Sequence, residues 1–143
     1  MWWTGLQTII GSVVAALAVR AVALPVLGVP SDFPPLISPA PTIFFTVVGV
    51  TLGVAVFAGV RRVASQPVRL FRIVATVALG LSFLPDVWLL TDATGSTFPG
   101  ATISAVGTLM AQHVVVAAVV VWMLTMRGAG QTDNRSSERA ADD

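Results

Sequence analysis

Cysteine is absent from the 143 residues, which excludes disulfide frameworks, thiolate zinc sites, iron–sulfur clusters and cysteine nucleophiles. Charge is scarce as well: only 10% of the residues are charged, and the chain holds a single histidine and seven acids. That leaves little for metal chemistry, and one histidine cannot assemble a classical zinc site. The eight basic residues are all arginine, they are not gathered into a patch, and the formal net charge is +1, so no nucleic-acid partner is implied. Phosphate-cradling GxxxxGK[ST], metalloprotease HExxH and nucleophile-elbow GxSxG patterns are all missing. No cofactor is implied, and the chain reads as a protein without catalytic activity.

Apolar sequence is what the chain has instead. Hydrophobic residues make up 55% of it, and the mean hydropathy is +0.87. Too little polar surface remains to cover a water-soluble globule. Residues 127–143 differ sharply, with seven charges in seventeen residues against eight in the preceding 126. This tail follows the Gly128 to Gly130 hinge and reads as a solvated, disordered segment.

Four apolar segments in residues 1–126 are long enough to cross a hydrocarbon core of about 30 Å at about 1.5 Å per helical residue. They run roughly over 6–29, 43–60, 70–90 and 103–126. Valine and isoleucine are frequent in them, but in lipid each span must satisfy its own backbone hydrogen bonds, and unbroken runs do so as helices. None alternates in polarity as a barrel strand would. The fold class is therefore an all-α membrane protein, a four-helix transmembrane bundle of up-down-up-down topology. The connections agree: 30–41 carries five prolines, and 91–102 carries Gly95, Pro99 and Gly100. The middle connection is short, and Pro67 is placed to start span three.

Arg61, Arg62, Arg69 and Arg72 flank that middle connection and Arg127 follows span four, whereas the other two loops contain only Asp32 and Asp92. By the positive-inside rule both termini face the cytoplasm of a multi-pass plasma-membrane protein. Trp2, Trp3 and Trp122 fall near the cytoplasmic boundary and Trp88 near the outer one. No basic residue precedes Arg20, so span one lacks the positive start of a cleaved signal peptide, although Ala21 and Ala23 imitate a cleavage site.

Three ionisable residues lie inside spans: Arg20, Asp86 and His113. Counted from the outer span ends they sit roughly 14, 6 and 15 Å deep. Intramembrane charge is expensive, so each needs a partner, a wet cavity or a route to the interface. One reading is an Arg20–Asp86 ion pair stapling span one to span three, with His113 as a neutral hydrogen-bonding partner. Another is a polar pocket binding an anion or passing protons, and a third is Arg20 snorkelling alone. Spans one and three are diagonal in an up-down-up-down bundle, so the pair could meet only across its centre. Ser82 lies one turn before Asp86, but an Asp without a nearby His activates serine poorly.

Small residues mark faces for helix packing. Gly49 and Gly53 form a GxxxG pattern in span two, extended by Ala55 and Gly59 on a shifted face. In span four Ser104, Gly107, Thr108, Ala111 and Ala118 line a face nearly opposite His113. Either stripe suits packing within the chain or against a second copy. Pro85 is placed to bend span three, and the arginines of the middle connection can meet anionic lipid headgroups as well as set topology.

Several stretches together resemble a family of small uncharacterised four-span prokaryotic membrane proteins, defined by a domain of unknown function. They are Arg20 late in span one, the proline-rich first outer loop, Pro67-Val68-Arg69-Leu70-Phe71-Arg72, Leu81-Ser82-Phe83-Leu84-Pro85-Asp86 and His113-Val114-Val115-Val116-Ala117. The resemblance covers roughly residues 6–126, implies the four-span architecture and carries over no catalytic or binding residue. The expectation is a structural or accessory protein with the lipid bilayer, a second copy or a larger membrane protein as partner. The alternative is a small-molecule, anion or proton transporter or sensor using an outer-half pocket.

Overall fold

The computed structural model describes residues 2–30, 32–91 and 100–141, with the side chains of Trp2 and of residues 127–141 left aside. Asp92, Gly95 and Pro99 of the second outer loop lie outside the described residues, as do the side chains of the charged tail. Five helices follow in order: α1 Trp2–Leu27, α2 Pro34–Ile37, α3 Pro39–Val63, α4 Pro67–Thr91 and α5 Ile103–Ala141. No strand occurs among the described residues. Four of the helices are long and apolar enough to cross a membrane, over Trp3–Leu27, Pro39–Val63, Pro67–Thr91 and Ile103–Met126.

Proline decides where three of these elements begin. Pro34 and Pro35 open α2, Pro39 and Pro41 fall in the first turn of α3, and Pro67 opens α4. At these positions a missing N–H removes no helical bond, and the fixed φ suits a helix start. The proline-rich loop therefore contains a helical turn that composition alone does not suggest, and α3 begins at Pro39 rather than near residue 43. Gly28 ends α1: its φ is 59°, and the Val29 N–H donates back to the Leu24 carbonyl at 3.4 Å. That six-to-one closure requires a residue in the left-handed region, which glycine enters without a Cβ penalty. At the other end, α5 runs past Met126 to Ala141.

Helix α1 packs most extensively on α5 and then on α3, while α4 contacts α5 and α3. Consecutive spans are neighbours, the last closes on the first, and α1 and α4 stand at opposite corners, as in an up-down-up-down bundle. Two apolar clusters fill it. Phe33, Leu36, Leu89, Ala105 and Val106 meet at the proline-rich end. Val50, Phe57, Phe71, Val120 and Leu124 meet toward the arginine-bearing end.

Polarity is inverted relative to a soluble protein. Thr8, Ser12, Thr46, Thr108, Gln112 and Asp86 are buried, while Val26, Phe45, Leu52, Leu81 and Met126 are exposed around the outside. In lipid an apolar exterior costs nothing, and polar groups are best turned inward. Thr8, Thr108 and Thr125 donate their hydroxyls to carbonyls four residues earlier at 2.8, 2.8 and 2.7 Å. Trp3, Trp88 and Trp122 are all exposed on this outer surface.

Candidate functional site

Arg20 sits on α1 about 10 Å before the helix end at Leu27. Its Nη2 donates to the Leu36 carbonyl at 2.8 Å and to the Ile37 carbonyl at 3.5 Å. The sequence explains why those oxygens are free. Helix α2 ends at Ile37, Ser38 is extended with φ −128° and ψ 162°, and Pro39 and Pro41 carry no N–H to donate back. A guanidinium replaces the missing donors and ties α1 to the α2–α3 junction. Its Nε is buried without a partner.

Asp86 and His113 form the other intramembrane contact. Asp86 on α4 is buried, and its Oδ2 accepts from His113 Nδ1 on α5 at 3.1 Å. Opposite a carboxylate, Nδ1 is the donor of this contact. The two side chains differ in access: that of His113 is 42% exposed and that of Asp86 only 6%. Phe83 stands beside the imidazole, with ring centroids 6.3 Å apart. Among the described residues this is the one acid–base contact, and it joins neighbouring helices.

The three ionisable residues thus divide two and one. Arg20 and Asp86 are not paired, because their helices stand diagonally and the arginine finds carbonyls within reach of its own corner. His113, expected as an accessory partner, is the actual partner of Asp86. Depth counted along the chain put all three in one half of the span without telling which corner each occupied.

Beside His113, α3 and α4 separate to leave a groove of about 240 Å³ floored by α5. Gly49, Gly53, Ala78, Ser82, His113 and Val120 are among its lining residues. Gly49 faces open space, and a Cβ on Gly53 would stand at an ordinary 3.5 Å from Val120 Cγ1. The GxxxG face therefore borders a cleft rather than clasping a neighbouring helix. Gly107 also faces open space, and Ala111 is exposed on the outside of α5. Close approach occurs elsewhere, on α1: a Cβ on Gly5 would stand 3.3 Å from Val54, and one on Gly11 3.3 Å from the Met123 sulfur. These two glycines let α1 lie against α3 and α5, and a spacing of six residues hides them from a GxxxG search.

Buried Ser12 and Gln112 were also not singled out from the sequence. Ser12 Oγ and Gln112 Nε2 have no hydrogen-bond partner. The signal available in the sequence was their registration with Ala16 and with Thr108 and Ala105 at helical spacing on the inward faces of α1 and α5. No group of three or more metal-ligating side chains occurs among the described residues.

Comparison with curated proteins and with solved structures returns no match. A family of unknown function matches residues 1–130, which contain all four spans together with Arg20, Asp86 and His113. A multi-pass helical membrane protein whose matched region covers the whole bundle, the chain belongs to this family, DUF6069.

Proposed function

We propose that this protein is a non-catalytic structural or accessory component of a prokaryotic plasma membrane, with both termini cytoplasmic, acting by lateral contact with a larger membrane protein or a second copy. One observation carries the reading: the intramembrane ionisable groups engage two separate structural ties, Arg20 to the Leu36 and Ile37 carbonyls and Asp86 to His113, instead of converging on one pocket. The outward stripe of Gly107 and Ala111 on α5 supports a contact face, because small residues permit close helix approach. The arginines around the middle connection support the orientation.

A transport or sensing role is the second reading, favoured by the exposure of the His113 imidazole to the groove. Two measurements on protein reconstituted in liposomes separate the readings. Because the chain lacks cysteine, Ala111→Cys gives a unique thiol for cross-linking. Cross-linking at Ala111→Cys, absent at the groove-facing control Ala78→Cys, together with proton and chloride flux equal to that of empty liposomes, is the expected result. Flux that Asp86→Asn or His113→Leu abolishes would overturn the accessory reading.

A further inference from the structure

We propose that the groove between α3 and α4 holds an acyl chain of an anionic phospholipid from the leaflet on the arginine side, with its phosphate taken by Arg61 and Arg72. This goes beyond the accessory role, which requires no bound lipid.

Length is the first support. The groove is lined on α4 from Phe71 to Ser82 and reaches His113 on α5. Eleven helical steps span about 16 Å, and half of a hydrocarbon core of about 30 Å is one leaflet. His113 lies about 15 Å from the start of α5, near the midplane, so the groove runs from one membrane face to the centre and stops. The lining is the second: it is almost wholly apolar apart from Ser82 and His113, which suits a hydrocarbon chain.

Charge at the open end identifies the headgroup. Phe71 stacks edge-on against Phe57 with centroids 4.8 Å apart, and the Arg61 guanidinium lies over the Phe57 ring at 5.9 Å. Arg61 is thereby held beside the Phe57–Phe71 pair, of which Phe71 lines the groove. Arg72 follows Phe71 and lies two turns from Leu79, a lining residue on the same helical stripe. Because α4 starts at that membrane face, its side chains lean toward it. A separate concavity of about 640 Å³ at the start of α4 has Gln66, Arg69 and Arg72 among its lining residues. None of these arginines is ion-paired with a described acid, and guanidinium groups bind phosphate oxygens in bidentate fashion.

The test uses the full chain in phosphatidylcholine vesicles carrying trace spin-labelled phosphatidylglycerol or phosphatidylcholine, with the motionally restricted lipid fraction read by electron paramagnetic resonance. Phosphatidylglycerol is expected to be selected over phosphatidylcholine. Each of Arg61→Gln and Arg72→Gln should lower that selectivity about fivefold. Gly49→Leu, whose side chain enters open space, should lower it while helical content and thermal unfolding stay as in the parent. Equal restriction of the two lipids by the parent protein would overturn the proposal. So would selectivity that survives Gly49→Leu, which would mean headgroup attraction at the surface alone. A dimer of the parent that Gly49→Leu dissociates would make a second copy the occupant and overturn it as well.

Discussion

Replacing Arg20 by leucine isolates the tie between α1 and the α2–α3 junction. The Nη2 bond to the Leu36 carbonyl is short at 2.8 Å, whereas that to Ile37 is at the distance limit of 3.5 Å. The first is charge-assisted and contributes about 1.5–3 kcal/mol, and the second contributes little. Leucine also relieves the cost of holding a guanidinium in the span, about 2.5–3.5 kcal/mol at a helix centre and less near an end. That relief applies equally to folded bundle and dispersed helices when both stay in a micelle, so it cancels from an unfolding equilibrium. The net expectation is a bundle about 1.5–3 kcal/mol less stable, read by titrating the purified protein from mild detergent into SDS and following helical content. Arg20→Lys should recover part of the loss, since a lysine supplies a point charge but not a fork. Stability of Arg20→Leu within about 0.5 kcal/mol of the parent would refute the reasoning.

Glycine positions give sharper contrasts than the apolar core. Gly11→Leu should destabilise by about 1–3 kcal/mol, because its Cβ alone already meets the Met123 sulfur at 3.3 Å, whereas Gly49→Leu should unfold no earlier than the parent in the same titration. Gly100→Ala should cost at least about 1–2 kcal/mol from its φ of 75°, and more because the added Cβ would stand 2.8 Å from Asp32 Oδ1 and 3.1 Å from the Phe33 nitrogen; thermal unfolding reads the loss. Phe33 is fully buried in the proline-end cluster, so the backbone there has no freedom to yield.

The four-span bundle was legible because continuous apolar length is a strong signal and lipid leaves few backbone solutions. Span ends were less so: the hydrophobic run of span two starts at Ile43, but Pro39 and Pro41 begin the helix, since proline in a first turn continues a helix that elsewhere it would break. Diagonal placement of spans one and three was also readable from topology, and it is what keeps Arg20 from Asp86. What the sequence did not carry was the identity of Arg20's acceptors. Backbone carbonyls are invisible in a search for charged partners, and the Leu36 and Ile37 oxygens are free because α2 ends at Ile37, Ser38 is extended, and Pro39 and Pro41 lack N–H groups. The GxxxG pattern likewise records where a helix can approach and not whether one of the same chain does. At Gly49 none does, while Gly5 and Gly11 on α1 mark the approaches that are made.

The division of the ionisable residues into separate ties is tested most directly by two double-mutant cycles measured on the same unfolding scale. Asp86→Leu combined with His113→Leu should be non-additive, with a coupling between about 0.6 kcal/mol, the average for interhelical hydrogen bonds in membranes, and about 1.7 kcal/mol, the largest such value. Arg20→Leu combined with Asp86→Leu should be additive to within about 0.5 kcal/mol. Additivity in the first cycle with coupling in the second would contradict the assignment and restore an Arg20–Asp86 staple across the bundle centre.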